Sequence, residues 1–164
     1  MKTITTNGPI KGFRGRVIAG GDLVAKAVVS HGGVNTLATF QKSALKNAKQ
    51  VIASDQNNPD IYKKNLTGQI LCLPKTIGST TGGLVIQAIC AMQINPAAML
   101  FSEEIDSLAA SGVILAKNWE NSKMICIDKL GDEFLQTVKT GDILEIKADG
   151  TVNICLEAND IKAE

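Results

Sequence analysis

Residues 69–101 constrain the fold more than any other part of the chain. Gln69-Ile-Leu-Cys-Leu73 is a short, wholly apolar run closed by Pro74, and Ala97–Phe101 is a second such run. Between them lie a loop of glycines and small hydroxyl residues, Lys75 to Gly83, and the stretch Leu84–Gln93. In that stretch Val85, Ala88, Ile89 and Met92 recur at i, i+3, i+4 and i+7. Apolar residues at that period make one face of a helix, and short uniformly apolar runs suit strands buried on both faces. Asn95-Pro96 ends the helix, because the residue before proline is driven out of the helical region. Strand, helix and strand in this order argue for a parallel βαβ unit.

The flanking sequence extends this unit on both sides. Residues 14–30 read as two strands bent at Gly20-Gly21, an early hairpin or bulge. After the second apolar run, Ser102 is a fair N-cap, with Glu103, Glu104 and Asp106 in first turns where the macrodipole favours carboxylates. Ile105, Leu108 and Ala109 give that short helix an inner face, and Gly112 closes it. Val113–Ala116 and Met124–Ile127 read as strands and Asp132–Val138 as a single helical turn. Ile143–Ile146 and Thr151–Leu156 flank Asp149-Gly150 as a hairpin. The lysine-dotted segment from His31 to Lys64 is the most surface-like part, with a helical turn or two, and residues 34–64 are expected to form a surface insertion. The expected fold class is α/β: a single β/β/α domain over residues 1–164, with a central parallel or mixed sheet, flanking helices and antiparallel hairpins at both ends.

Composition removes several function classes. The 164 residues are 45% hydrophobic and 20% charged, which is the composition of one folded domain. A net charge of +1 and an aromatic content of 4% give no electrostatic or stacking case for nucleic acid. No apolar run approaches the roughly 18 residues that span a bilayer. Residues 1–13 have no apolar core of a secretory signal, so a cytoplasmic location is expected. The charge is nonetheless lopsided: residues 1–82 carry eleven Lys/Arg against three Asp/Glu, and residues 83–164 carry six against thirteen. Either the halves cancel on packing, or a basic face near mid-chain handles an anionic ligand or acidic partner. Cys72, Cys90, Cys126 and Cys155 are widely spaced, three of them in apolar stretches, and His31 is the sole histidine. Buried thiols are expected, and no metal held by this chain.

The loop Gly78-Ser79-Thr80-Thr81-Gly82-Gly83 is the stretch suited to a ligand. Loops at the carboxyl ends of parallel strands meet helix N-termini, whose free N–H groups and dipole seat an anion or oxyanion. No Lys-Ser/Thr follows the glycines as in a nucleotide-binding loop, and no GxSxG elbow is present. A plain N-cap is the other reading. A helix N-terminus is worth at most ~2 kcal/mol, and one pKa unit is about 1.36 kcal/mol. The dipole alone therefore cannot ionise Ser79, and further cations would come from another polypeptide.

The segments RGRVIAGGDLVAKAVVS, HGGVN, LTGQILCLP, IGSTTGG, NPAAMLFSEEID and SGVILA, in this order, resemble the small, swivel-type subunit of the aconitase X family. The resemblance implies a swivelling domain that closes over the active site of a large subunit, with an iron–sulphur cluster in that partner and no cofactor in this chain. It implies a hydro-lyase that removes water from a small hydroxy acid, with Ser79 as catalytic base. Gly78, Thr80, Thr81 and Gly82 would then line the substrate pocket, and Ser30 and Asn35 its second wall. The partner's cluster would take the leaving hydroxyl. Cis-3-hydroxy-L-proline is the favoured substrate, mevalonate 5-phosphate the alternative, and a non-catalytic anion-binding or regulatory module the reading from another class. Many relatives have Asp and Pro where this chain has Asn35 and Thr36, a lost charge that bears on substrate choice. Arg14 and Arg16 read as surface charges or as salt-bridge donors to the partner, and Lys75 is the cation nearest Ser79 in sequence.

Overall fold

The apolar runs pair side by side in one mixed sheet. The computed structural model describes residues 6–157, so both ends of the expected 1–164 domain lie outside the described residues. In chain order the strands are β1 (Thr6–Arg14), β2 (Arg16–Ala19), β3 (Leu23–Val29), β4 (Val34–Asn35), β5 (Ile70–Leu73), β6 (Thr76–Ile77), β7 (Ala98–Phe101), β8 (Ile125–Asp128), β9 (Ile143–Ile146) and β10 (Thr151–Glu157). The helices are α1 (Thr36–Leu45), α2 (Gly82–Ala91), α3 (Ser107–Trp119) and α4 (Asp132–Thr137). Eight strands join in the order β1-β10-β9-β3-β5-β7-β8-β2, and β4 pairs with β6 apart from them. The centre, β3-β5-β7-β8, is parallel. Antiparallel pairing takes over on both flanks, through β9, β10 and β1 on one side and β2 on the other.

Every residue of β5, β7 and β8 is buried. Alternate side chains point to opposite faces of a strand, so these runs feed two cores. Leu71, Leu73, Met99, Phe101 and Cys126 face the cluster that α1, α2 and α3 cover. Ile70, Cys72, Ala98, Leu100 and Ile127 face the cluster containing Phe134 and Leu135 of α4 and Leu144 of β9. Among the described residues no helix is long and apolar enough to cross a membrane.

Five local expectations are corrected. β2 and β3 are strands, but not a hairpin: β5, β7 and β8 separate them in the sheet. Arg16 on β2 holds the fully buried Asp128 of β8 through Nε at 2.9 Å and a terminal nitrogen at 2.7 Å, which draws β2 to the far edge. The third helix starts at Asp106 instead of Ser102, because the Asp106 carboxylate accepts the N–H groups of Leu108 (2.9 Å) and Ala109 (3.0 Å). It also runs through Val113–Ala116, which is helix and not strand. Its buried Ala109, Gly112, Val113 and Ala116 stand at helical spacing, and Gly112 is a contact point with α2. On α2 itself Ala88 is exposed; Gly82, Ile86, Ile89 and Cys90 are buried, and Val85 and Met92 pack half-buried against the same core. Finally, the 34–64 stretch is not confined to the surface: Phe40, Val51 and Ile61 within it are fully buried in the helix-side core.

Candidate functional site

Three adjacent parallel strands, β3, β5 and β7, end on the same side of the sheet, and each leads through a loop into a helix. The first turns of α1, α2 and α3 thereby meet around one cavity of about 220 Å3. Thr36 opens α1 and lines it; Gly82 opens α2 and lines it; Asp106, Leu108 and Ala109 bring the start of α3 to it. Thr76, Ile77, Gly78 and Ser79 complete the wall. Three helix N-termini bring their positive dipole ends to one space, where Asp106 is the one carboxylate and no side-chain cation stands among the described lining residues.

Close packing sets the loop that carries Ser79. Gly78 has φ +100°, and a Cβ there would lie 2.5 Å from Nδ2 of Asn35. A Cβ on Gly82 would lie 2.5 Å from the Thr36 hydroxyl oxygen. Both glycines are needed for the loop to press against the start of α1. Ser79 is exposed on this loop, and its Oγ accepts the N–H of Thr81 at 3.2 Å and shares a 2.8 Å hydrogen bond with Thr81 Oγ1. The Thr81 hydroxyl is thus spent on Ser79, and α2 has no side-chain cap. The other two helices are capped from within: Asn35 Oδ1 accepts the N–H of Ala38 at 3.1 Å, and Asp106 caps α3. Of the three helix starts, α2 is the one without a side-chain cap, although the Gly82 N–H donates to Ser79 O at 3.0 Å.

Asp106, Thr76 and Thr36 were not singled out by the sequence as site residues. The Thr76 hydroxyl donates to Asp106 Oδ2, tying the strand before the Ser79 loop to the start of α3. Partial burial pushes the Asp106 carboxyl up, but the hydrogen bonds from Thr76, Ala109 and Leu108 outweigh it and hold the pKa below the usual carboxylate range. An Asp followed by an apolar periodic stretch was the available signal; Ser102 obscured it. Ser102 is in fact buried, with its hydroxyl unbonded among the described residues.

The expected residues divide. Gly78, Ser79 and Gly82 line the cavity; Thr80 and Thr81 are exposed next to it in the loop. Asn35 touches Gly78 behind the loop. Ser30 is not brought to the cavity: it is fully buried, its hydroxyl donating to Gly32 O at 2.7 Å and accepting from Asn58 Nδ2 at 2.9 Å. His31 turns to Asp60, to which its backbone N–H donates at 2.7 Å. Lys75 stands 3.9 Å from Glu103, and Arg16 is committed to Asp128 and Glu104.

All four cysteines are buried, and burial pushes the Cys72 and Cys126 thiols far up, against the thiolate that metal ligation requires. Among the described residues no three His, Cys, Asp or Glu side chains gather as a metal site. The described residues, which include all four cysteines and His31, do not fit an iron–sulphur cluster.

With this geometry in hand, comparison with known proteins is specific. The family model for the aconitase X swivel domain matches residues 12–154. The phosphomevalonate dehydratase small subunit of Methanocella arvoryzae is 30% identical over 88% of this chain and 96% of its own length. The protein of the same name from Thermococcus sibiricus is 28% identical over 87% of this chain and 97% of its own. The crystal structure of Thermococcus kodakaraensis aconitase X (holo-form) superimposes with a TM-score of 0.74 at 26% identity, covering 90% of this chain and 99% of that one.

Proposed function

This chain belongs to the aconitase X swivel-domain family, and from that premise we propose that it is the small subunit of a two-chain hydro-lyase with Ser79 as catalytic base. The observation that carries the reading is one exposed hydroxyl, Ser79, beside a helix start that no side chain caps, facing a cavity where two further helices begin. Removing a proton alpha to a carboxylate moves negative charge onto the carboxylate oxygens. Fixed N–H dipoles at that point stabilise the charge more in the transition state than in the ground state. Hydrogen bonds from Thr81 to Ser79 Oγ favour its deprotonated form. The remaining stabilisation, beyond the ~2 kcal/mol that a helix start supplies, is assigned to cations of the large subunit. An iron–sulphur cluster is likewise assigned to that subunit. The pair belongs in the cytoplasm, where four thiols stay reduced.

The names of the two relatives favour mevalonate 5-phosphate as substrate over cis-3-hydroxy-L-proline, reversing the order that the resemblance alone suggested. Co-expression with the large-subunit gene of the same genome, followed by assays of water elimination from both acids, tests the reading. The wild-type pair is expected to dehydrate mevalonate 5-phosphate. Ser79→Ala is expected to assemble normally and lose about 10²-fold or more in kcat, a typical general-base contribution. A fully active Ser79→Ala pair removes this serine from the mechanism. Turnover of the proline derivative alone restores the other substrate, and a stable pair inert on both favours an anion-binding module without catalysis.

A further inference from the structure

The far end of α1 carries a feature that the Ser79 site does not use. A second cavity, of about 290 Å3, is lined by Lys42, Lys46 and Lys63 together with Ile52, Ser54 and Tyr62. Lys49 and Lys64 adjoin its walls in sequence. Among the described residues none of these five lysines is ion-paired. The two acids of the same stretch are engaged elsewhere: Asp55 is buried and accepts the Asn57 N–H at 2.9 Å, and Asp60 holds His31.

Helix termini explain only part of this. Lys42 and Lys46 lie in the last turn and at the C-cap of α1, where the dipole favours cations. They also stand four residues apart on one helix face, where like charges repel. Lys63 is not on that helix at all, and it occupies a left-handed backbone conformation, φ +63°, that lysine rarely adopts. The surroundings are not those of a small phosphate ligand. Leu45, next to Lys46, is 78% exposed, and Ile52 in the cavity wall is 42% exposed. Lys63 Nζ lies over the Tyr62 ring at 5.2 Å from its centroid, a contact that leaves its charge without a carboxylate. Exposed apolar side chains among cations that lack an ion pair match a protein surface that offers carboxylates around an apolar anchor.

We propose that this lysine-lined face docks an acidic, apolar-anchored segment of the large subunit. The inference rests on the two-chain reading above and adds a second contact to it. The occupant follows from charge complementarity and from continuity: α1 begins at the Ser79 cavity and ends at the lysines, so a partner segment that runs from the first along this helix of ten residues, roughly 15 Å, would reach the second. The charges would act mainly by steering association and fixing its register, with the chemistry untouched.

The test measures the affinity of this chain for its large subunit at low and high salt. The triple variant Lys42→Glu, Lys46→Glu, Lys63→Glu is expected to bind about tenfold or more weakly at low salt, with a flatter salt dependence and an unchanged kcat once saturated. A control triple, Lys117→Glu, Lys123→Glu, Lys147→Glu, changes the net charge equally at other exposed positions and is expected to bind within about threefold of wild type. Circular dichroism on both triples verifies the fold, and the milder triple Lys→Gln at 42, 46 and 63 is expected to fall between. Equal effects of the two charge-reversal triples, or none from either, overturn the proposal while leaving the two-chain enzyme intact. Self-association of the chain alone that the first triple abolishes would make a second copy the occupant and overturn it too. A wild-type chain that binds no large subunit at all overturns both this inference and the functional reading.

Discussion

At Asp106 one carboxylate joins two parts of the site: it caps α3 and receives the Thr76 hydroxyl from the strand that leads to Ser79. Its pKa is lower in the fold than in the unfolded chain. The stabilisation is therefore fully present above the ordinary carboxylate pKa and is lost as pH falls through the lowered value. Asp106→Ala is expected to cost about 1 kcal/mol at neutral pH, the usual worth of an N-cap. Thermal melts across a pH series check this: the gap between wild type and variant should close on acidification, and a gap independent of pH would separate the cap from the charge. Ser79 behaves oppositely. It is exposed and its bonds are local, so Ser79→Ala should leave stability within about 0.5 kcal/mol of wild type while removing activity from the pair.

Among the elements, the crossing of α2 and α3 decides where the Ser79 loop sits. A Cβ on Gly112 would lie 2.3 Å from the carbonyl oxygen of Gly83, and one on Gly83 2.4 Å from that of Leu108. The two helices touch backbone to backbone near the start of α2. Gly112→Ala gains about 1 kcal/mol of helix propensity, yet the obstructing atom is main chain and cannot rotate away, so overpacking of about 1–3 kcal/mol wins. A lowered melting temperature is the expected outcome, together with reduced kcat in the assembled pair as the start of α2 shifts. This glycine also explains why the sequence predicts a short helix and a strand where the fold has one continuous α3. Its buried positions 109, 112, 113 and 116 follow the helical period in the sequence, but a glycine in their midst looks like a stop when the neighbour that requires it is out of view.

Across the whole molecule, the 34–64 stretch is the clearest measure of what local sequence conceals. Phe40, on the inner face of α1, is fully buried, so Phe40→Ala is expected to destabilise by about 3–5 kcal/mol, read as a lowered urea midpoint; a change near zero would return the stretch to the surface. Its five lysines are exposed or half-buried and draw attention from the apolar residues that face inward. The central strands β5, β7 and β8 and the hairpin of β9 and β10 were legible to within a residue at each end, because strands buried on both faces are almost wholly apolar, the Arg16-paired Asp128 that ends β8 being the exception, and Asp149-Gly150 suits a tight reversal. The strand–loop–helix carrying Gly78, Ser79 and Gly82 was legible for a related reason: glycine and small hydroxyl residues between an apolar strand and an apolar helix face mark an open helix start. Pairing across distance was not. The sheet order that sends β2 to Asp128, the convergence of three helix starts on one cavity, the role of Asp106 and the withdrawal of Ser30 all depend on residues tens of positions apart. Side-chain polarity at a position is a local property and survives in the sequence; which distant neighbour satisfies it is settled only when the sheet closes and the helices pack upon it.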